Sequence, residues 1–171
     1  MTESSANPPS IRAVLYLRKR ASPETVQQLK RIVDRVRRLE TDGIAEVAVE
    51  TWTSVTPALE ELGDSGPSIS LTVNSFRAWA SGEGYTLEPS FDRRETGSML
   101  DGRSAVQIRV PIVSLAVYES DTLRCVAPCS DGERTYSVEQ CLAALEVGFT
   151  EPFAFRDRFG PVGEDSMENG H

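Results

Sequence analysis

The sequence predicts a mixed α/β (α+β) domain. A β-α-β unit and a C-terminal three-stranded antiparallel meander share one sheet, with helices mainly on one face. Three observations predict it. A strand, one long amphipathic helix and a second strand follow one another over residues 11–53. Three β-rich runs separated by turn signals occupy residues 85–128. A capped helix closes the domain at 137–146.

Residues 1–10 are polar with a Pro pair and read as disordered. "IRAVLYLR" (11–18) places Ile11, Ala13, Leu15 and Leu17 on one face and Val14 and Tyr16 on the other, the pattern of an interior strand. "SPET" starts a helix, with Ser22 as N-cap, Pro23 at the first helical position and Glu24 in the first turn. Val26, Leu29, Ile32, Val33, Val36 and Leu39 recur at three- and four-residue steps and form one apolar stripe along residues 22–41. Gly43 ends that helix, and "AEVAVETWT" (45–53) follows as a strand.

"TPALEEL" (56–62) reads as a short capped helix and "GDSGP" (63–67) as a loop. The spacing of Val73, Phe76, Trp79 and Ala80 predicts a helix from about 70 to 82. "YTLEPSF" (85–91) reads as a strand continuing toward Glu95, and "DG" at 101–102 signals a hairpin. "AVQIRVPIVSLAVYE" (105–119) reads as one long strand. Its apolar phase flips after Pro111, as a bulge would make it do. "TLRCVAP" (122–128) is the next strand, and Ser137 with Gln140 forms a capping box for the last helix. The domain therefore spans 11–147 in a chain of 171 residues, long enough for a hydrophobic core.

Net charge is −8, and the cations are 16 Arg against only Lys19 and Lys30. Acid excess with almost no Lys fits a salt-adapted cytoplasm, because carboxylates hold water tightly and repel one another. The N-terminus has no basic and apolar leader pattern, and the longest apolar-leaning run is too short to span a bilayer. A cytoplasmic location without membrane contact is expected.

Residues 18–38 hold eight basic side chains and two acids, a local charge of +6 against −14 for the rest of the chain. Lys30, Arg31, Arg35, Arg37 and Arg38 are the candidate nucleic-acid contacts, with Arg31, Arg35 and Arg38 forming a ridge away from the apolar stripe. The competing reading is a solvated helix face that pairs with some of the chain's 26 acids, and that abundance favours it. "RRLETDGIAEV" (37–47) looks like the passage from a recognition helix to a wing. Yet residues 22–41 contain no breaker that would divide them into two helices. Salt adds a constraint: a site neutralising five phosphates has a slope of about −4.5 in log K against log salt, so tenfold more salt costs roughly four to five decades.

Catalysis and cofactors have little support. The only His is His171, and no nucleophile elbow, P-loop or dinucleotide fingerprint occurs. Cys125, Cys129 and Cys141 lack zinc-site spacing and a fourth ligand, so they read as buried structural thiols with neither metal nor disulfide. Trp52, Phe76, Trp79 and Phe91 read as core rather than as a ligand cage. In the tail, Phe149, Phe153, Phe155 and Phe159 form a cluster, before an acidic Gly-rich end that reads as disordered. The cluster reads either as a strap across the domain's own groove or as a docking segment for a partner chain.

The stretches "FRAWASGEGYTLEPSF" (76–91) and "VPIVSLAVYESDTLRCVAPCSDG" (110–132) resemble a family of small haloarchaeal proteins, often labelled helix-turn-helix domain proteins. The resemblance covers most of residues 11–147 and implies a regulatory role in a salt-loving cytoplasm; its motifs carry no functional residues. The expected function is a non-catalytic regulatory or protein-interaction module with a protein partner or self-association. The alternatives are a DNA-binding transcription regulator using helix 22–41, and a small-ligand sensor with a pocket between sheet and helices.

Overall fold

The computed structural model describes residues 10–53, 69–97 and 104–151. Its elements run β1 (Ile11–Arg18), α1 (Pro23–Thr41), β2 (Glu46–Trp52), α2 (Ile69–Glu83), β3 (Asp92–Gly97), β4 (Ser104–Arg109), β5 (Val113–Glu119), β6 (Thr122–Ala127), β7 (Cys129–Ser130), β8 (Thr135–Tyr136) and α3 (Val138–Glu146). The architecture is mixed α+β, as the sequence pattern requires.

Because β1 is apolar on both faces, it needs cover above and below. It lies inside a four-stranded sheet of order β2-β1-β5-β6. Its partner β2 is parallel, in register from Arg12↔Glu46 to Arg18↔Trp52, which completes the β-α-β unit. On its other side β5 is antiparallel, and β6 is antiparallel to β5, with a register shift between Val117 and Tyr118.

One face of this sheet holds α1 and α3. Ile32, Val36 and Leu39 from α1 and Cys141, Leu142 and Leu145 from α3 pack with Ala13, Leu15, Leu115 and Val117. The opposite face packs α2 and the β3–β4 hairpin in a second core of Trp52, Val73, Phe76, Phe91, Ile108, Val110, Ala116 and Val126. Two of the three described helices thus share a face, and the third covers the other. The interior Ser114 is fully buried and donates its hydroxyl to the Ala127 carbonyl at 2.8 Å, which removes the penalty of burying it. No described helix is long and apolar enough to cross a membrane.

The terminal signals of the helices work as read. The Ser22 hydroxyl accepts from the Thr25 N–H, and Gly43 takes φ +73° just past α1. Ser137 and Gln140 exchange both bonds of the capping box at 3.1 and 2.7 Å.

Two strand boundaries need correcting. The run 105–119 is not one strand with a bulge: β4 and β5 are separate, divided at Val110–Ile112. Pro111 has no N–H for a ladder, and the apolar side chains buried just before it serve the second core alone while those after it serve both. Ile108 and Val110 enter the second core, Leu115 and Val117 the first. Accordingly β3–β4 forms its own two-stranded sheet rather than extending the main one. The strand read at 85–91 begins later, at Asp92. Leu87 and Phe91 both turn inward, and the Phe91 N–H donates to the Leu87 carbonyl at 2.9 Å, closing a turn around Pro89. The helix read at 56–62, the loop at 63–67, the "DG" turn at 101–102 and the disorder read at both ends fall outside the described residues, residue 10 excepted.

Candidate nucleic-acid interface

Burial of Leu29, Ile32, Val36 and Leu39 fixes the rotation of α1, and with it which cations face outward. Lys30, Arg31, Arg37 and Arg38 are all exposed. Lys30 and Arg37 are seven residues apart, as are Arg31 and Arg38, so each pair forms a row along the helix. Asp34 stands between the rows, three or four residues from each of the four cations. None of these four cations makes an ion pair among the described residues.

Arg35 behaves differently. It is half-buried and forms a two-point pair with Glu146 at the end of α3, Nε to Oε2 at 3.1 Å and Nη2 to Oε1 at 2.9 Å. The hydrogen bond to Glu146 is the main reason its guanidinium holds its proton still more firmly than usual. The ridge read as Arg31, Arg35 and Arg38 therefore has its middle member turned toward α3. Its partner lies 111 positions away, beyond the reach of helix periodicity. This pair is a tie between the two helices on the first face. With side chains 30% and 39% exposed, it is screened by solvent. A double-mutant cycle of Arg35→Ala and Glu146→Ala should give a coupling of about 0.2–1 kcal/mol in dilute salt, measured by urea unfolding. That coupling should shrink in molar salt as the Debye length falls to about 3 Å. A coupling near zero in dilute salt would mean the pair does not hold α1 to α3.

On the opposite face, the Arg12 guanidinium lies 4.3 Å from the centre of the Tyr118 ring. Tyr16, stacked on Trp52 at 4.4 Å, has its phenol pushed up to about 12, chiefly by burial. Trp52, Phe76 and Phe91 are buried in contact with one another, and Trp79 is half-buried against Tyr85; they are packing residues.

The three cysteines are all buried free thiols. Sequence spacing gave no sign that they converge, yet the Cys125 sulfur lies 3.1 Å from that of Cys141. Hydrogen bonding with Cys129, then with Cys141, and burial push the Cys125 thiol well above its usual range. Among the described residues, no group of three or more His, Cys, Asp or Glu is placed to hold a metal ion. At neutral pH, iodoacetamide should label less than one thiol per native chain and all three after unfolding in guanidinium, read by intact mass. Rapid labelling of the native chain would contradict the burial.

Phe149 is half-buried, and its N–H donates to the Ala144 carbonyl at 2.9 Å, so the cluster's first member lies against the end of α3. Phe153, Phe155 and Phe159 lie outside the described residues.

A family model described as a helix-turn-helix domain matches residues 5–149. The chain belongs to that helix-turn-helix domain family. No curated protein and no solved structure matches it. Among the described residues of this family member, no two helices are joined by a short turn. α1 is one continuous helix that runs into β2, and the residues immediately before α2 lie outside the described set.

Proposed function

We propose that this chain is a non-catalytic regulatory module that binds DNA, with the exposed face of α1 contacting backbone phosphates. The observation that carries this reading is the group of four outward cations, Lys30, Arg31, Arg37 and Arg38, unpaired among the described residues of a chain with net charge −8. In such an acidic protein, a solvated helix face would be expected to find carboxylate partners, as Arg35 does. Membership of a helix-turn-helix domain family supports the same reading. Cations on the exposed face of a rigid helix can neutralise backbone phosphates, and such contacts position a protein without reading sequence. A salt-rich archaeal cytoplasm, in keeping with the acid excess and the scarcity of Lys, would weaken contacts of this kind. Specific binding there requires base contacts or a second protomer in addition.

The test is duplex binding by the full chain, followed by fluorescence anisotropy from 50 to 200 mM salt. Four phosphate contacts give a slope of about −3.6 in log K against log salt, a loss of roughly two decades over that range. Absence of binding in dilute salt, or binding that ignores salt, would overturn the reading.

A further inference from the structure

At the end of the sheet where parallel β1 and β2 both present their carboxyl ends, a cleft of about 320 Å³ opens against the first turns of α1. Its wall is apolar, built from Leu17 of β1 and from Val26, Leu29 and Val33 of α1. Val26 belongs to the buried stripe of α1 by periodicity but is 38% exposed, on the wall of this open cleft. The charged side chains of the rim are Lys19 and Lys30 against one acid, Asp34. The Arg18 guanidinium is turned to the other face, where its Nη1 donates to the Val110 carbonyl at 3.1 Å, and Thr51, the β2 partner of Leu17, adds a polar residue to the cleft.

The geometry points to a binding site for a small amphiphilic anion, a carboxylate on an aliphatic or aromatic body. Two independent features carry this. The first is topological. From the carboxyl end of β1 the chain enters α1 on one face, while the next described helix after the parallel strand β2 is α2, on the other face. The helices that follow these two adjacent parallel strands therefore lie on opposite faces. The crevice outside the carboxyl ends of strands at such a divergence is where open α/β sheets bind ligands. The second is charge complementarity: an apolar wall favours a hydrocarbon body, and two cations against one acid favour an anionic head over a cationic or neutral one. A cleft of this size suits a body of roughly six to ten carbons. Phosphate alone would leave the apolar wall wet, and a neutral lipid would leave the cations unused. The site shares Lys30 with the proposed phosphate-contacting face but needs no DNA to form.

Titration of the full chain with octanoate at constant ionic strength, by calorimetry, tests this. Saturable one-to-one binding in the micromolar to millimolar range is expected, about tenfold tighter than for 1-octanol. Lys19→Gln, which leaves the α1 face untouched, should weaken octanoate about threefold or more. Val26→Glu, a change at an exposed helix position, should weaken it at least tenfold, roughly 1.4 kcal/mol, with the melting temperature unchanged. Octanol binding as tightly as octanoate would overturn the anion selectivity. No saturation with octanoate, or unaltered affinity in Lys19→Gln and Val26→Glu, would overturn the site. Should Val26→Glu unfold the chain, Lys19→Gln decides alone. Each result is independent of whether the chain binds a duplex.

Discussion

Phe76→Ala should destabilise the fold by about 3–5 kcal/mol, the cost of removing a large aromatic side chain from a packed interior. Phe76 is fully buried on α2, and its ring meets three others edge-on: Tyr16 at 5.9 Å, Trp52 at 6.4 Å and Phe91 at 5.9 Å. These rings come from β1, β2, α2 and the turn before β3. Phe76 therefore joins the main sheet to the elements that cover its second face. Truncation loses the transfer energy of the ring and leaves a cavity whose rigid aromatic walls collapse poorly. The edge-to-face geometry is lost as well, worth roughly 0.5–1.5 kcal/mol per pair. For a chain of this size, the melting temperature should fall by roughly 6–20 °C. Urea unfolding measures the change directly. A loss under about 1 kcal/mol would mean that the second core contributes little to the cooperative unit.

Phe76 also shows how far the sequence could be read. Its four-residue spacing to Ala80 identifies a helix and a buried stripe, and α2 forms over nearly the residues that this spacing predicts. Local signals of this kind, caps and periodic stripes, act within a few residues and are legible in one chain. Which face of the sheet receives α2 is a different matter, since it depends on the path through β3 and β4. The apolar residues around Pro111 belong to two cores, and the sequence pattern shows their change of phase without showing that the strand breaks there. The same limit applies at the candidate interface. Periodicity places Lys30, Arg31, Arg37 and Arg38 outward. It cannot show that Glu146 removes Arg35 from their number, because that ion pair depends on how α3 docks beside α1. The convergence of Cys125 with Cys141 is equally a product of docking, of α3 on β6. Val26 reverses the lesson: its place in the stripe says buried, and the open cleft that it lines leaves it exposed.

Replacing Lys30, Arg31, Arg37 and Arg38 together by Gln should cost about three to four decades of duplex affinity at 0.1 M salt and bring the salt slope from about −3.6 to near zero. The reasoning is counterion release. Each neutralised phosphate contributes about 0.9 to the slope, so four contacts removed together should remove the whole of it. The substitutions also take four positive charges from a chain whose net charge is already −8, so long-range repulsion from a duplex increases and association slows. Stability should change little. All four side chains are exposed, and Gln has nearly the helix propensity of Lys and Arg. Arg38 sits in the last turn of α1, where its loss costs about 0.3–1 kcal/mol through the helix dipole. The control is Arg35→Gln. It removes one positive charge from the same helix, but one already neutralised by Glu146, so the slope should stay close to −3.6. Equal effects from Arg35→Gln and from any single change among the four would indicate a diffuse field rather than contacts. A fourfold variant that keeps its slope would move the interface away from α1 altogether.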